Sequence, residues 1–399
     1  MKKVVFSILA ISALVFTSCS SDGDTPINNV TAPATYKFER NGNSSVSFSG
    51  QTTRIKMATE LASALKDETK TEVALNAMFA HTAGNADFSD ADLNTSSKSV
   101  RSKVAASADF FAANTTDANA IKAKFDSWIT EQVADVYPNW TVNAVAGTAG
   151  KLEQNSGTAR YINGKGVELN QIFAKGLIGA LMVDQMLNNY LSPVVLSTPT
   201  NITDNDAGTV VAGKNYTTME HKWDEAYGYL YGTEVNPAVP VLGADSFLNK
   251  YLGKVEADSD FAGVAKSIYD AFKLGRAAIV AKDYVLRDKQ AEVIREKISE
   301  VIAIRTVHYL QAGKALLATD KAAAFHDLSE GLGFLYSLQF TRKSNSASSY
   351  FTKAEIDGYL NDLLGTGNGL WEASTVATLD AVSSKIAVKF NFVVAETIN

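Results

Sequence analysis

With a single cysteine among 399 residues, the chain can form no internal disulfide, so its stability has to come from packing. Proline is also scarce, with 7 in all, and Pro138, Pro193, Pro199, Pro237 and Pro240 fall between apolar runs rather than inside them. That placement suits long packed helices, whose interiors do not tolerate proline. Cations are outnumbered, 37 Lys and Arg against 43 Asp and Glu, for a formal charge of -6. The chain lacks the clustered Lys and Arg that phosphate binding needs, which argues against nucleic acid or an anionic membrane surface as partner. Also missing are a Gly-x-Ser-x-Gly elbow, a phosphate-cradling loop, a dinucleotide fingerprint and a His-Glu-x-x-His zinc motif. No catalytic role is therefore expected, and an enzyme would have to rest on chemistry without a sequence signature.

The N-terminus reads as an address. Lys2 and Lys3 precede an apolar run from Val4 to Val15, and Phe16-Thr-Ser-Cys19 closes it with small residues before the cysteine. The run is too short to span a bilayer and has the layout of a secretory signal. Residues 1–19 are thus expected to be a signal peptide ending at Cys19, the lipidated residue of a bacterial lipoprotein. Residues 20–34 are expected to be a flexible linker. Ser20-Ser-Asp-Gly-Asp24 resembles the acidic export tag of outer-membrane lipoproteins from Bacteroidetes-type bacteria. It implies lipid anchoring in the outer membrane, at the cell surface or on the periplasmic side.

At 46% hydrophobic and 20% charged residues, the chain has the composition of a folded globule. Alternating Tyr36–Arg40 and Ser45–Ser49 flank Asn41-Gly-Asn43 and predict a small hairpin. Beyond it, apolar residues recur at helical spacing, including Thr53 to Lys66, Ser97 to Ala112, Ala118 to Tyr137, Val167 to Leu191, Thr217 to Tyr231 and Lys289 to Leu317. The expectation is an all-α protein of two bundle-like halves, about 51–206 and 217–399, within a domain over 35–399. Two long segments, Asn139–Gly166 and Pro193–Asn215, read as loops that either border a site or are surface excursions.

Two distant stretches share the frame H-x-x-x-E-x-x-G-[YF]-L-Y, beginning at His221 and at His326. On a helix, positions i, i+4 and i+7 lie in one stripe, so His221, Glu225 and Gly228 share a face, as do His326, Glu330 and Gly333. A mid-helix glycine costs about 1 kcal/mol relative to alanine, so something is expected to approach the backbone at both places. Two readings follow. In one, small residues let the two helices cross and each His satisfies its Glu. In the other, His221, Glu225, His326 and Glu330 form a joint site for a divalent or ferric metal ion, or for a small ligand, with Asp224 as a further ligand candidate. Glu168, Gln171, Lys175 and Asp184 fall on one amphipathic helix and read ordinarily as an internal Glu-to-Lys network. His308 and His81 read as solvated-face and helix-terminal residues.

Tyr161-Ile-Asn-Gly-Lys-Gly-Val-Glu168-Leu-Asn-Gln171, Lys175-Gly-Leu-Ile-Gly-Ala180 and Glu220-His-Lys-Trp-Asp-Glu-Ala-Tyr-Gly-Tyr229 together resemble an uncharacterised lipoprotein family of Bacteroidetes-type bacteria, DUF4856-like. More distantly, the repeated helix resembles the imelysin group, exported two-bundle proteins tied to iron uptake, whose hallmark is G-x-H-x-x-E. Met219 stands where that glycine would be, and Asp224 and Ser329 lie three residues beyond the histidines. The resemblance implies an outer-membrane lipoprotein that binds a metal or assists an uptake receptor. A glycan- or nutrient-binding surface lipoprotein and an imelysin-like peptidase are the alternatives.

Overall fold

The computed structural model describes residues 30–365, 367–372 and 375–398. The expected signal, Cys19 and most of the expected linker lie outside them. The chain enters through a hairpin of β1 (Glu39–Arg40) and β2 (Asn43–Ser44), turned by Asn41 and Gly42 at φ 52° and 74°. Both turn residues are left-handed, which is the requirement of the tight hairpin turn that the Asn-Gly pair predicts. The ladder is shorter than the sequence alternation because N–H groups flanking it are taken elsewhere, that of Tyr36 by the Ala238 carbonyl at 3.0 Å. Asp224 accepts from the Tyr36 hydroxyl at 2.7 Å and from the Ser47 N–H at 3.3 Å.

Helix α1 (Ser49–Ala64) buries Ile55, Met57, Ala58 and Leu61 and leaves a polar stripe outward. Short helices α2 (Glu72–Ala80) and α3 (Ala91–Thr95) follow, capped by Thr71 and Asp90. The helix expected over Ser97–Ala112 is not formed; apart from one tight turn at Arg101–Lys103 the segment is irregular. Its N–H groups are committed elsewhere. Ala105 donates to the Ala180 carbonyl at 2.8 Å, and Ala106 and Ser107 donate to Asp184, each at 3.0 Å. A carboxylate supplied from outside the segment thus outcompetes the i–4 carbonyls for these donors.

Helix α4 (Thr115–Glu131) leads into the first long segment, which is not structureless. It holds an antiparallel pair, β3 (Gly150–Glu153) with β4 (Ala159–Ile162). Gly150 sits at φ 154°, and a Cβ there would stand 2.3 Å from the Val142 carbonyl oxygen, so only glycine fits. Helix α5 (Leu169–Leu177) runs on as π-helical turns over Ile178–Val183 and Met186–Tyr190 and is almost wholly buried. The second long segment folds into α6 (Pro193–Leu196) and α7 (Pro199–Ala207), each opened by a proline at its first turn.

The rest is helical: α8 (Thr218–Tyr231), α9 (Leu248–Glu256), α10 (Val264–Val280), α11 (Tyr284–Leu316), α12 (Lys321–Ser337), α13 (Lys353–Leu364) and α14 (Thr375–Phe390). With 33 residues, α11 is about 50 Å long and is the spine on which α10, α12 and α14 pack. The proposed halves are interleaved rather than side by side: α1 lies against α8, and α5 against α12. One hydrophobic cluster runs from Tyr36 to Ile386 across both. No helix among the described residues is long and apolar enough to cross a membrane.

One stripe of α10 grips the entering chain. Lys273 donates to the Ala34 carbonyl at 3.4 Å, the Tyr269 hydroxyl accepts from the Tyr36 N–H at 3.2 Å, and Arg276 donates to the Ser45 hydroxyl at 3.3 Å.

Candidate functional site

The first His-Glu-Gly helix, α8, starts with a reciprocal capping box of Thr217 and Glu220. His221 places Nδ1 3.0 Å from the Ser47 carbonyl and stacks on Tyr216 with ring centroids 4.5 Å apart. Burial pushes its imidazole below the usual histidine range. Its Nε2 stands 3.9 Å from Glu225, which is itself held by Lys222 at 2.8 Å and Gln51 at 3.0 Å. Asp224 points elsewhere, into a fully buried network with Arg276 at 3.1 Å. Arg276 also reaches Glu220 at 3.0 Å, and Arg40 closes on Glu220 from outside at 2.9 Å. Asp224 is thus a structural anchor for the hairpin.

The second copy, on α12, faces an open cleft. His326 Nδ1 lies 2.6 Å from Glu168, so the Nδ1 proton is directed there and Nε2 is turned to Glu330 at 3.7 Å. Glu330 pairs with Lys175 at 3.3 Å and accepts from the Tyr251 hydroxyl at 3.2 Å. Burial alone would raise the Glu330 carboxyl, but the Lys175 ammonium and its other partners hold it below the usual carboxylate range. Ser329 accepts from the Glu168 N–H at 2.8 Å and donates to the Phe325 carbonyl at 2.6 Å, and so fixes the start of α5. Glu168 and Lys175 do not pair with each other, as their common helix suggested. They answer His326 and Glu330 one turn apart on α12. Arg160 of β4 comes within 4.0 Å of Glu168, which brings the first long segment to the edge of the site.

The cleft measures about 430 Å³ and lies between the C-terminal end of α1, α5, the start of α9 and α12. Its charged walls are Lys66, Lys175, Lys250, His326 and Glu330. Burial pushes the Lys175 ammonium below the usual lysine range.

The joint metal set expected from His221, Glu225, His326 and Glu330 is not assembled. Among the described residues no three His, Cys, Asp or Glu side chains are arranged to hold a metal ion. The two pairs have separate partners, on α1 and the hairpin for one and on α5 for the other, and a lysine ammonium occupies the carboxylate in each. Elsewhere, His308 Nδ1 lies 2.6 Å from the Thr397 carbonyl, and His81 Nδ1 lies 2.6 Å from Asp87 at the end of α2.

The two glycines are close-approach points, though not to each other. A Cβ on Gly228 would stand 2.3 Å from the Phe48 Cβ at the start of α1. One on Gly333 would stand 2.5 Å from the Lys175 Cβ and 2.9 Å from the Ile172 carbonyl oxygen. Gly228→Ala and Gly333→Ala should each lower stability by about 1–3 kcal/mol through overpacking, with Gly333→Ala the worse because backbone cannot rotate away. Urea unfolding checks this. A gain of about 1 kcal/mol, as alanine gives on an open helix, would contradict the packing.

Helices packed on a long central spine, with two minor hairpins and buried ion pairs at the crossings, define a mainly helical domain. The chain belongs to the family described as Domain of unknown function (DUF4856), whose model matches residues 33–393. No curated protein and no solved structure matches it.

Proposed function

We propose that the chain is a lipid-anchored outer-membrane binding protein that captures a small anionic solute in the cleft beside His326 and works next to an uptake receptor. One observation carries this reading: three ammonium groups, Lys66, Lys175 and Lys250, border a cleft with one lining carboxylate, Glu330, which pairs with Lys175 and leaves Lys66 and Lys250 as an excess of positive charge. In a protein of charge -6 such a place attracts anions that the rest of the surface repels. His326 is oriented from behind by Glu168, as a recognition residue needs to be. The N-terminal pattern ending at Cys19 supports export and anchoring. The shared frame of α8 and α12 supports a duplicated unit of which one copy became architectural and the other stayed open. Iron held jointly by the two copies is not part of the proposal, because the ligands do not converge. The peptidase reading has no nucleophile to support it.

The test is a titration of the mature protein with D-glucuronate and citrate, followed by calorimetry or nuclear magnetic resonance. Saturable binding is expected, weakened at least tenfold by the double substitution Lys66→Met and Lys250→Met, both at exposed positions. Binding that ignores the double substitution, or no binding, would reject the cleft as the site. Cys19→Ser should move the folded protein from the membrane to the soluble fraction, since one acyl chain and its partners supply the membrane affinity. Retention would reject the anchor.

A further inference from the structure

We infer that the His326 cleft is one end of a longer trough along α1 that binds a linear oligosaccharide, with an acidic sugar at the lysine end and neutral sugars along the helix. The inference rests on the cleft being the ligand site and names what the ligand is. Three cavities lie in a row and share walls. A cavity of about 730 Å³ under the hairpin meets a middle one of about 710 Å³ at Thr52, and the middle one meets the His326 cleft at Thr59 and Ser246.

The floor is one stripe of α1 and its exit: Thr52, Lys56, Thr59, Ser63 and Lys66, spaced four and three residues apart. It extends for about 21 Å, the rise of 14 residues, which is long enough for several sugar rings. Every residue of the stripe carries a hydroxyl or an ammonium; Thr52 donates to the Gly232 carbonyl at 2.8 Å and Thr59 to the Ile55 carbonyl at 2.9 Å, so these two hydroxyls face a ligand as acceptors. A groove for a partner helix would present apolar anchors at this spacing instead.

The opposite wall is the connection from α8 to α9, and it is braced from within. Glu234 accepts from the Leu242 N–H at 2.8 Å and from the Asn249 amide at 2.9 Å, while Asn249 accepts from the Ala244 N–H at 2.9 Å. A wall fixed in this way loses little freedom when a ligand binds. The two ends differ in chemistry. At the hairpin, half-buried Phe38 and Phe48 offer apolar ring surface of the kind sugar faces stack on. In the middle, Glu60 and Asp245 can accept hydroxyl protons but would repel a chain charged at every unit. The hairpin end balances Lys37 with Glu39 and the middle sets Lys56 against Glu60, Asp90, Glu234 and Asp245, so the end beside Lys66 and Lys250 is where cations are in excess.

Calorimetry on the mature protein separates the possibilities, using a xylo-oligosaccharide bearing one terminal glucuronate, the neutral xylo-oligosaccharide of equal length, glucuronate alone and an acidic hexapeptide. The acid-bearing oligosaccharide should bind at least tenfold tighter than glucuronate. Ala244→Trp, which adds bulk to the exposed wall of the middle cavity alone, should reduce it to the level of glucuronate and leave glucuronate itself unchanged. Equal affinity for oligosaccharide and glucuronate, indifference to Ala244→Trp, or tighter binding of the peptide would each overturn the trough while leaving the cleft in place. Absence of glucuronate binding together with indifference of the oligosaccharide to Lys66→Met and Lys250→Met would overturn the cleft reading instead.

Discussion

Arg276→Ala should cost the fold about 3–5 kcal/mol, the range expected when one partner of a buried ion network is removed. The Arg276 side chain has no solvent exposure and stands between Glu220 at 3.0 Å and Asp224 at 3.1 Å, themselves 2% and 0% exposed. Without it Glu220 keeps Arg40 as a cation, but Asp224 keeps only the Tyr36 hydroxyl and the Ser47 N–H. Burial already pushes the Asp224 carboxyl up to about 6 with the guanidinium present, so in the variant it can stay buried only as the neutral acid. The hairpin then loses its anchor, and urea unfolding together with proteolysis near Asn41 should report both effects. A loss below about 1 kcal/mol would show that the network is not what holds the hairpin.

The second large effect is a dependence on pH. Asp184 is fully buried and pushed up to about 6 by burial, against the opposing effect of the Ser107 hydroxyl, the N–H groups of Ala106 and Ser107 and the Asn188 amide. Its folded value thus lies above its ordinary value of 3.8. A raised carboxyl favours the protonated fold: its contribution to stability is complete below about pH 4 and lost as pH rises through 6, for a total of about 2–3 kcal/mol. Asp184→Asn, which cannot ionise, supplies the reference. Whatever its absolute deficit, the wild type should lose about 2–3 kcal/mol relative to this variant between pH 4 and pH 7 in urea unfolding. A difference independent of pH would mean that Asp184 is ionised throughout.

Local chemistry was legible in the sequence, and pairing between distant elements was not. The Asn41-Gly42 turn, the long helices and the placement of proline between them are each decided by a few neighbouring residues, and the fold follows them. Ser97–Ala112 carries helical spacing yet stays irregular, because the acceptor for its N–H groups is Asp184, far along the chain. Likewise β3 and β4 were hidden in a segment rich in Gly, Asn and Thr, although the turn Gln154–Thr158 between short alternating runs was a usable signal. The repeated frame puts His326 and Glu330 on one face of α12, where they come within 3.7 Å. It could not say that each copy would pair with a different earlier helix, since nothing in either frame encodes the identity of α1 or α5. Asp224 is a related case: one residue short of Glu225, it lies about 100° away around α8, enough to take it from the rim to the core.

The grip of α10 on the entering chain has a mechanical consequence. Tyr269, Lys273 and Arg276 lie at i, i+4 and i+7 on one face and hold Tyr36, Ala34 and Ser45 in turn. A pull applied ahead of Val30 is therefore met by contacts spread along two turns of a helix rather than by a single terminal bond. From α10 the force passes to the 33-residue spine of α11, against which it packs. A protein that hangs from its N-terminus in moving fluid would carry the load through α10 and α11, while the His326 cleft is lined by none of the gripped residues.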